Sequence, residues 1–151
     1  MTPLFQKLNL GDHTTLLVLN APESFDTELS LLSDVKILRK ASSKHPATFA
    51  IGFAITVAEL AKVINTLVKS TEGDAIVWVA YPKGTSKKYQ CEFNRDTGWS
   101  EFGDAGFEPV RQVAIDVDWS ALRFRRTEYI KSLTRNGSMA ISPEGKRRTA
   151  R

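Results

Sequence analysis

Residues 48–80, TFAIGFAITVAELAKVINTLVKSTEGDAIVWVA, hold a strand, a helix and a second strand in one continuous reading. Residues 48–54 form an almost unbroken apolar run, the pattern of a strand covered on both faces. Thr56-Val57-Ala58-Glu59 matches a capping box, in which the threonine hydroxyl and the glutamate carboxylate satisfy the first free amides reciprocally. Val57, Leu60, Ala61, Ile64, Leu67 and Val68 then recur at helical spacing, with Lys62 and Lys69 off that face. Gly73 lies beyond the helix, and residues 75–80 read as a second buried strand that ends at Tyr81-Pro82-Lys83.

Working outward toward the N-terminus, LLVLNAPESF (16–25) reads as a strand that runs into a turn and a helix over 24–32. Phe25, Leu29 and Leu32 fall four and three apart on one face of that helix. Residues 35–38 predict a short strand, and ASSKHPA (41–47) a loop. The order is β-α-β-β-α-β, which predicts a largely parallel sheet wrapped by helices. Toward the C-terminus, PKGTSKK (82–88) is a basic loop and residues 96–105 a short irregular helix. Residues 110–117 and 121–126 predict an antiparallel hairpin turned at Asp118-Trp119-Ser120. From Asn136 onward apolar periodicity is missing and a mobile end is expected. The expected class is α/β: a Rossmann-like three-layer sandwich with a mostly parallel sheet and an antiparallel C-terminal hairpin. It spans residues 1–130 as one domain, with a basic tail over 131–151.

A chain of 151 residues has the size of one domain with a real core. Its 42% hydrophobic and 25% charged content is ordinary for a soluble globular protein. No run reaches the roughly 18 to 20 apolar residues of a membrane span. The start, MTPLFQKLNLGDHTT, has neither a charged leader nor an apolar core, so a signal peptide is not expected. A single cysteine, Cys91, excludes an internal disulfide and argues against a cysteine-built metal site. The expected compartment is the cytoplasm. Of the net charge of +4, residues 144–151 supply +3, from Lys146, Arg147, Arg148 and Arg151 against Glu144. The body is therefore nearly neutral, which argues against a nucleic-acid interface on it.

The turn after the first strand is where a nucleotide-binding α/β protein places a glycine-rich phosphate loop. Here it reads Asn20-Ala21-Pro22-Glu23, without glycine. Pro22 and Glu23 suit a helix start, and Glu23 would repel a phosphate. His13 and His45 make no metal-ligand cluster, and neither a G-x-S-x-G motif nor a cysteine beside a histidine is present. Cys91 lies in KKYQCEF, where lysines would lower its pKa; an ordinary half-buried cysteine is the plainer reading. PKGTSKK sets small polar residues among lysines without matching G-x-x-x-x-G-K-[ST]. It does follow a central strand's carboxyl end, where the binding crevice of an open α/β sheet lies. If Val18 and Val77 are on neighbouring strands, Asn20 and Glu23 face Tyr81 and Lys83 across that crevice. Asn20, Glu23, Tyr81, Lys83, Lys87 and Trp99 are thus the candidate ligand-binding set, against turn chemistry and core packing as competing accounts. Trp78 reads as core. Trp119 is expected to pack the hairpin turn on the body with its indole N–H bonded nearby. Arg123 and Arg125 share one face of the last strand, as a solvated edge or as a contact for an anion or another chain.

GDAIVWVAYPK (73–83), followed by DAGFEPVRQVAIDVDWSALRFRR (104–126), is similar to the closing half of a class I methyltransferase-like Rossmann fold. More narrowly, VLNAPE, WVAYPK and DWSALRFRR resemble a bacterial family of small Rossmann-like domains. That family shares VLNAPE, a tryptophan before PK, and DWSGLK or DWSALR, and has no agreed activity. The resemblance runs over residues 9–127. A methyltransferase resemblance implies S-adenosylmethionine binding where a glycine loop and an acid after the second strand are present. Those positions hold Asn20-Ala21-Pro22-Glu23 and Arg39 or Lys40. Glycines let backbone approach a ligand, and proline removes an amide donor. No cofactor is therefore expected, with S-adenosylmethionine disfavoured. The expected function is a non-catalytic, methyltransferase-like domain that binds or regulates through contact with itself or another protein at the hairpin edge. The alternative is a small-molecule or nucleotide-binding protein, or an unconventional transferase, using the crevice at the carboxyl ends of the strands. Neither a membrane nor nucleic acid is an expected partner.

Overall fold

The apolar runs become strands because helices cover them from both sides. The computed structural model describes residues 2–42, 44–94 and 98–130. Its elements are α1 (Pro3–Lys7), β1 (Thr15–Leu19), α2 (Glu23–Leu29), β2 (Lys36–Leu38), β3 (Ala47–Phe53), α3 (Val57–Ser70) and β4 (Thr71–Pro82), then α4 (Ser100–Asp104), β5 (Phe107–Ala114), β6 (Trp119–Arg126) and a 3-10 turn (Thr127–Tyr129). One six-stranded sheet runs β2-β1-β3-β4-β6-β5. Its first four strands are parallel, and β6 is antiparallel to both β4 and β5. This is the expected α/β class, with a parallel sheet closed by an antiparallel hairpin.

Register sorts the core into two layers. Leu17, Ala50, Val77 and Phe124 lie side by side and pack with Leu60, Val63, Ile64 and Leu67 of α3 and Phe102 of α4. One residue on, Val18, Ile51 and Trp78 form the opposite row, packed with Leu4 and Phe5 of α1 and Phe25 and Leu29 of α2. Helix α3 fits closely because Gly52 of β3 has no side chain: a Cβ there would lie 2.5 Å from Val63 Cγ1. The capping box is formed, with Thr56 accepting from the Glu59 amide at 3.1 Å. Val57, expected on the buried face, sits at the first helical position and is 52% exposed, while Val63 takes the buried place.

Several boundaries differ from the sequence reading. Helix α1 was not read from the sequence; it starts on Pro3 with Thr2 accepting from the Phe5 amide, and Trp78 Nε1 donates to the Leu8 carbonyl beyond its end. No turn separates α3 from β4, so Gly73, at φ +63°, lies inside the strand. The hairpin does not turn at Asp118-Trp119-Ser120. Asp116 Oδ1 accepts from the Asp118 and Trp119 amides at 2.8 and 2.9 Å, closing the turn earlier and making Trp119 the first residue of β6. Nor is β6 the sheet's edge, because the hairpin docks on β4 through its second strand and leaves β5 outermost. The expected mobile tail (131–151) and Asp96 and Thr97 of the expected short helix lie outside the described residues. No helix among the described residues is long and apolar enough to cross a membrane.

Candidate functional site

The carboxyl ends of β1, β3 and β4 and the start of β6 share one end of the sheet. Val18 and Val77 are not on neighbouring strands: β3 runs between β1 and β4. The supposed single crevice is therefore two corners with the end of β3 between them.

At the first corner the chain's own side chains occupy the polar groups. Asn20 takes a left-handed φ of 59°, a backbone state that favours glycine, and its Nδ2 donates to the Phe53 carbonyl at 3.4 Å. Glu59 Oε1 accepts from the Ile55 and Thr56 amides at 3.0 Å each, the donors that follow β3. Arg39, standing where a ribose-binding acid is expected, pairs with Asp26 of α2 at 2.9 Å. Two small cavities of about 200 and 280 Å³ remain, both touching Asn20 and Glu59. They fall below the roughly 300–1,000 Å³ of ordinary ligand pockets. A glycine turn and a ribose acid, the usual holders of S-adenosylmethionine, are both replaced here, and Glu59 takes the two amides that follow β3.

The second corner is roomier and basic. The loop after β4 encloses a cleft of about 720 Å³ lined by Tyr81, Lys83, Lys87, Lys88, Tyr89 and Glu92 among others. The sequence PKGTSKK holds its shape through one serine. Ser86 Oγ donates to Asp118 Oδ1 at 2.8 Å and accepts from the Lys88 and Tyr89 amides. The Lys83 amide donates to the Asp118 carbonyl at 2.7 Å, so the hairpin turn anchors the loop's start. Its far end is tied to α3, where Glu92 Oε1 accepts from the Val57 amide at 2.8 Å. Among the described residues none of the three lysines is ion-paired.

The six candidate residues divide accordingly. Tyr81, Lys83 and Lys87 line the basic cleft, whereas Asn20 lines only the small cavities of the first corner. Glu23 is exposed at the start of α2. Trp99 is buried at the N-cap of α4, against Tyr81, Phe93 and Phe124, with its Nε1 donating to the Asn94 carbonyl at 2.8 Å. Lys88, Tyr89, Ser86 and Asp118 were not singled out. The lysine and serine sit within the quoted basic loop, but nothing local links Asp118 to it.

Two chemical expectations also change. Lysines do not lower the Cys91 pKa; burial, the largest influence, raises it. The Trp119 indole packs against Phe53 and Tyr89 as expected, yet its buried Nε1 finds no hydrogen-bond partner among the described residues. An orphaned buried donor costs about 1–3 kcal/mol. Among the described residues no group of three or more histidine, cysteine, aspartate or glutamate side chains could hold a metal ion.

No protein-family model and no curated protein matches the sequence. Solved structures do match in fold. The N-methyltransferase NodS from Bradyrhizobium japonicum WM9 superposes with a TM-score of 0.53 at 12% identity, over 80% of this chain and 91% of that one. Its complex with S-adenosyl-L-homocysteine gives 0.51 at 11% identity, over 83% and 88%. A SAM-dependent methyltransferase from Aquifex aeolicus gives 0.51 at 13% identity, over 82% and 87%. The fold of this chain is methyltransferase-like and Rossmann-like.

Proposed function

We propose that this chain is a binding domain on a methyltransferase-like fold, and that it takes a small anionic molecule, phosphorylated or nucleotide-like, in the cleft under residues 83–94. The observation that carries this reading is the unpaired lysine set of that cleft. Three lysines share the lining with one carboxylate, Glu92, which is already bonded to the Val57 amide, and the Lys88 ammonium lies over the Tyr89 ring at 5.4 Å. The likeness to methyltransferases supports a transferase as well, but the first corner lacks the glycine turn and the acid that would hold the methyl donor.

A thermal-shift series with S-adenosylmethionine, nucleotides and phosphorylated metabolites tests this. A ligand at a hundredfold excess over its Kd stabilises by about 2.7 kcal/mol, or roughly 5–10 °C for a chain of this size. The expected result is a shift with an anionic ligand that K83A/K87A abolishes. A shift with S-adenosylmethionine alone, unchanged in K83A/K87A, would overturn the proposal.

The second reading is protein contact through the hairpin. Val117 at its turn is 79% exposed and Val110 on β5 is 37% exposed. Against strand addition there, β5 carries Pro109 and a register shift between Pro109 and Arg111, devices that blunt an edge. Light scattering of the wild type and of V117D separates the two readings: a mass that falls in V117D favours contact.

A further inference from the structure

The row Val18, Ile51, Trp78 crosses the sheet on its α1–α2 side and is apolar over three strands. The next two positions of the same row are Arg123 on β6 and Arg111 on β5, directly opposite each other. Like charges facing across a strand pair repel, and their Cβ atoms stand only about 5 Å apart. Nearby groups neutralise them only in part, Asp74 being the carboxylate that acts on Arg123. Arg125, two residues along the same face, holds Asp74 in a two-pronged pair at 2.7 Å for each bond, which uses both carboxylate oxygens. Arg111 donates to the neutral Asn9 Oδ1 at 3.1 Å. Glu108 lies opposite Arg125, is fully buried and is itself engaged. Arg123 has a buried Nε with no acceptor among the described residues. Its guanidinium pKa is lowered, first by burial and then by Arg125, with Asp74 opposing and Arg111 adding to the shift.

We propose that Arg111 and Arg123 together hold one tetrahedral oxyanion, a phosphoryl or sulfuryl group, on the β5–β6 face. Guanidinium forks match such oxygens in two-pronged geometry, and an anion between them would answer the cross-strand repulsion that Asp74, shared with Arg125, offsets only in part. Nε itself is closed to solvent, which leaves the outer guanidinium nitrogens for the anion, and the nearly neutral body of the chain disfavours a nucleic-acid backbone. Residues 144–151 do not suit the role by sign, since they carry a net charge of +3. This inference is independent of the lysine cleft.

The test follows the arginine Nε–Hε resonances of the full chain by NMR during titration with inorganic phosphate and pyrophosphate at constant ionic strength. Saturable movement of the Arg123 resonance is expected, with affinity about tenfold weaker in R111Q. K83A/K87A should leave this response unchanged, so failure here and failure of the lysine cleft are told apart. A response absent in the wild type, equally strong in R111Q, or displaced by an oligonucleotide with steep salt dependence would each overturn the assignment. Arg111 is exposed, so R111Q is expected to fold.

Discussion

Two corners at the same end of the sheet have opposite chemistry. At the ends of β2, β1 and β3, Arg39, Asn20 and Glu59 each bond to other groups of the chain, leaving cavities of about 200 and 280 Å³. Beyond β4, Ser86 and Asp118 do the structural bonding, and Lys83, Lys87 and Lys88 line a cleft of about 720 Å³ with no ion pair among the described residues. A corner can bind only with groups its own fold has not consumed. The fold supplies both corners, but side-chain bookkeeping distinguishes them.

The largest predicted effect breaks the first corner alone. Phe53 is 1% exposed and packs against Phe25 and Trp119 at ring-centroid distances of 4.8 and 5.2 Å. Phe53→Ala should cost about 3–5 kcal/mol in urea unfolding. Ligand affinity of the folded protein at the lysine cleft should be unaltered. A loss below about 1 kcal/mol would mean this corner is not a packing unit at all.

A smaller effect sharpens the contrast. Glu59→Ala uncovers the Ile55 and Thr56 amides and removes half of the capping box. The cost should be about 1 kcal/mol, and hydrogen exchange should quicken at those two amides while the Lys88 and Tyr89 amides keep their protection. Equal quickening in the lysine loop would show that the two corners open together.

The smallest effect is a control at the far end of β4. Arg125 bonds Asp74 and holds its carboxyl below the ordinary value of 3.8. The stabilisation is therefore complete above that ordinary value and is lost as pH falls through the lowered one. Both side chains are about a third exposed, so Asp74→Asn should cost under about 1 kcal/mol at neutral pH. Unfolding curves of variant and wild type should converge in strong acid, with ligand binding at the lysine cleft unchanged.

Much of the architecture is legible in local patterns. The strands β1, β3 and β4 are apolar over enough residues to require two covered faces, and the Thr56–Glu59 box announces α3 before any packing is known. Helix α1 is less legible because five residues make little more than one turn, too few for periodicity to register. The hairpin turn was misplaced because Asp116, not Asp118, accepts the turn amides. Half of the candidate site, Tyr81, Lys83 and Lys87, is found at one cleft because those residues are neighbours in sequence. Asn20 and Glu23 do not join them, since strand adjacency depends on which faces pack rather than on chain order.

By itself, the sequence LLVLNAPESF determined that the first turn has no glycine and leads into a helix just after its proline. Local backbone chemistry decides such matters, and it needs no partner. Only the tertiary structure decided that β3 separates β1 from β4, that Asp118 anchors the lysine loop, and that a row of apolar residues ends in Arg123 and Arg111. Those facts join residues far apart in the chain. Their pairing is set by burying both faces of one sheet at once, a condition that no short window of sequence contains.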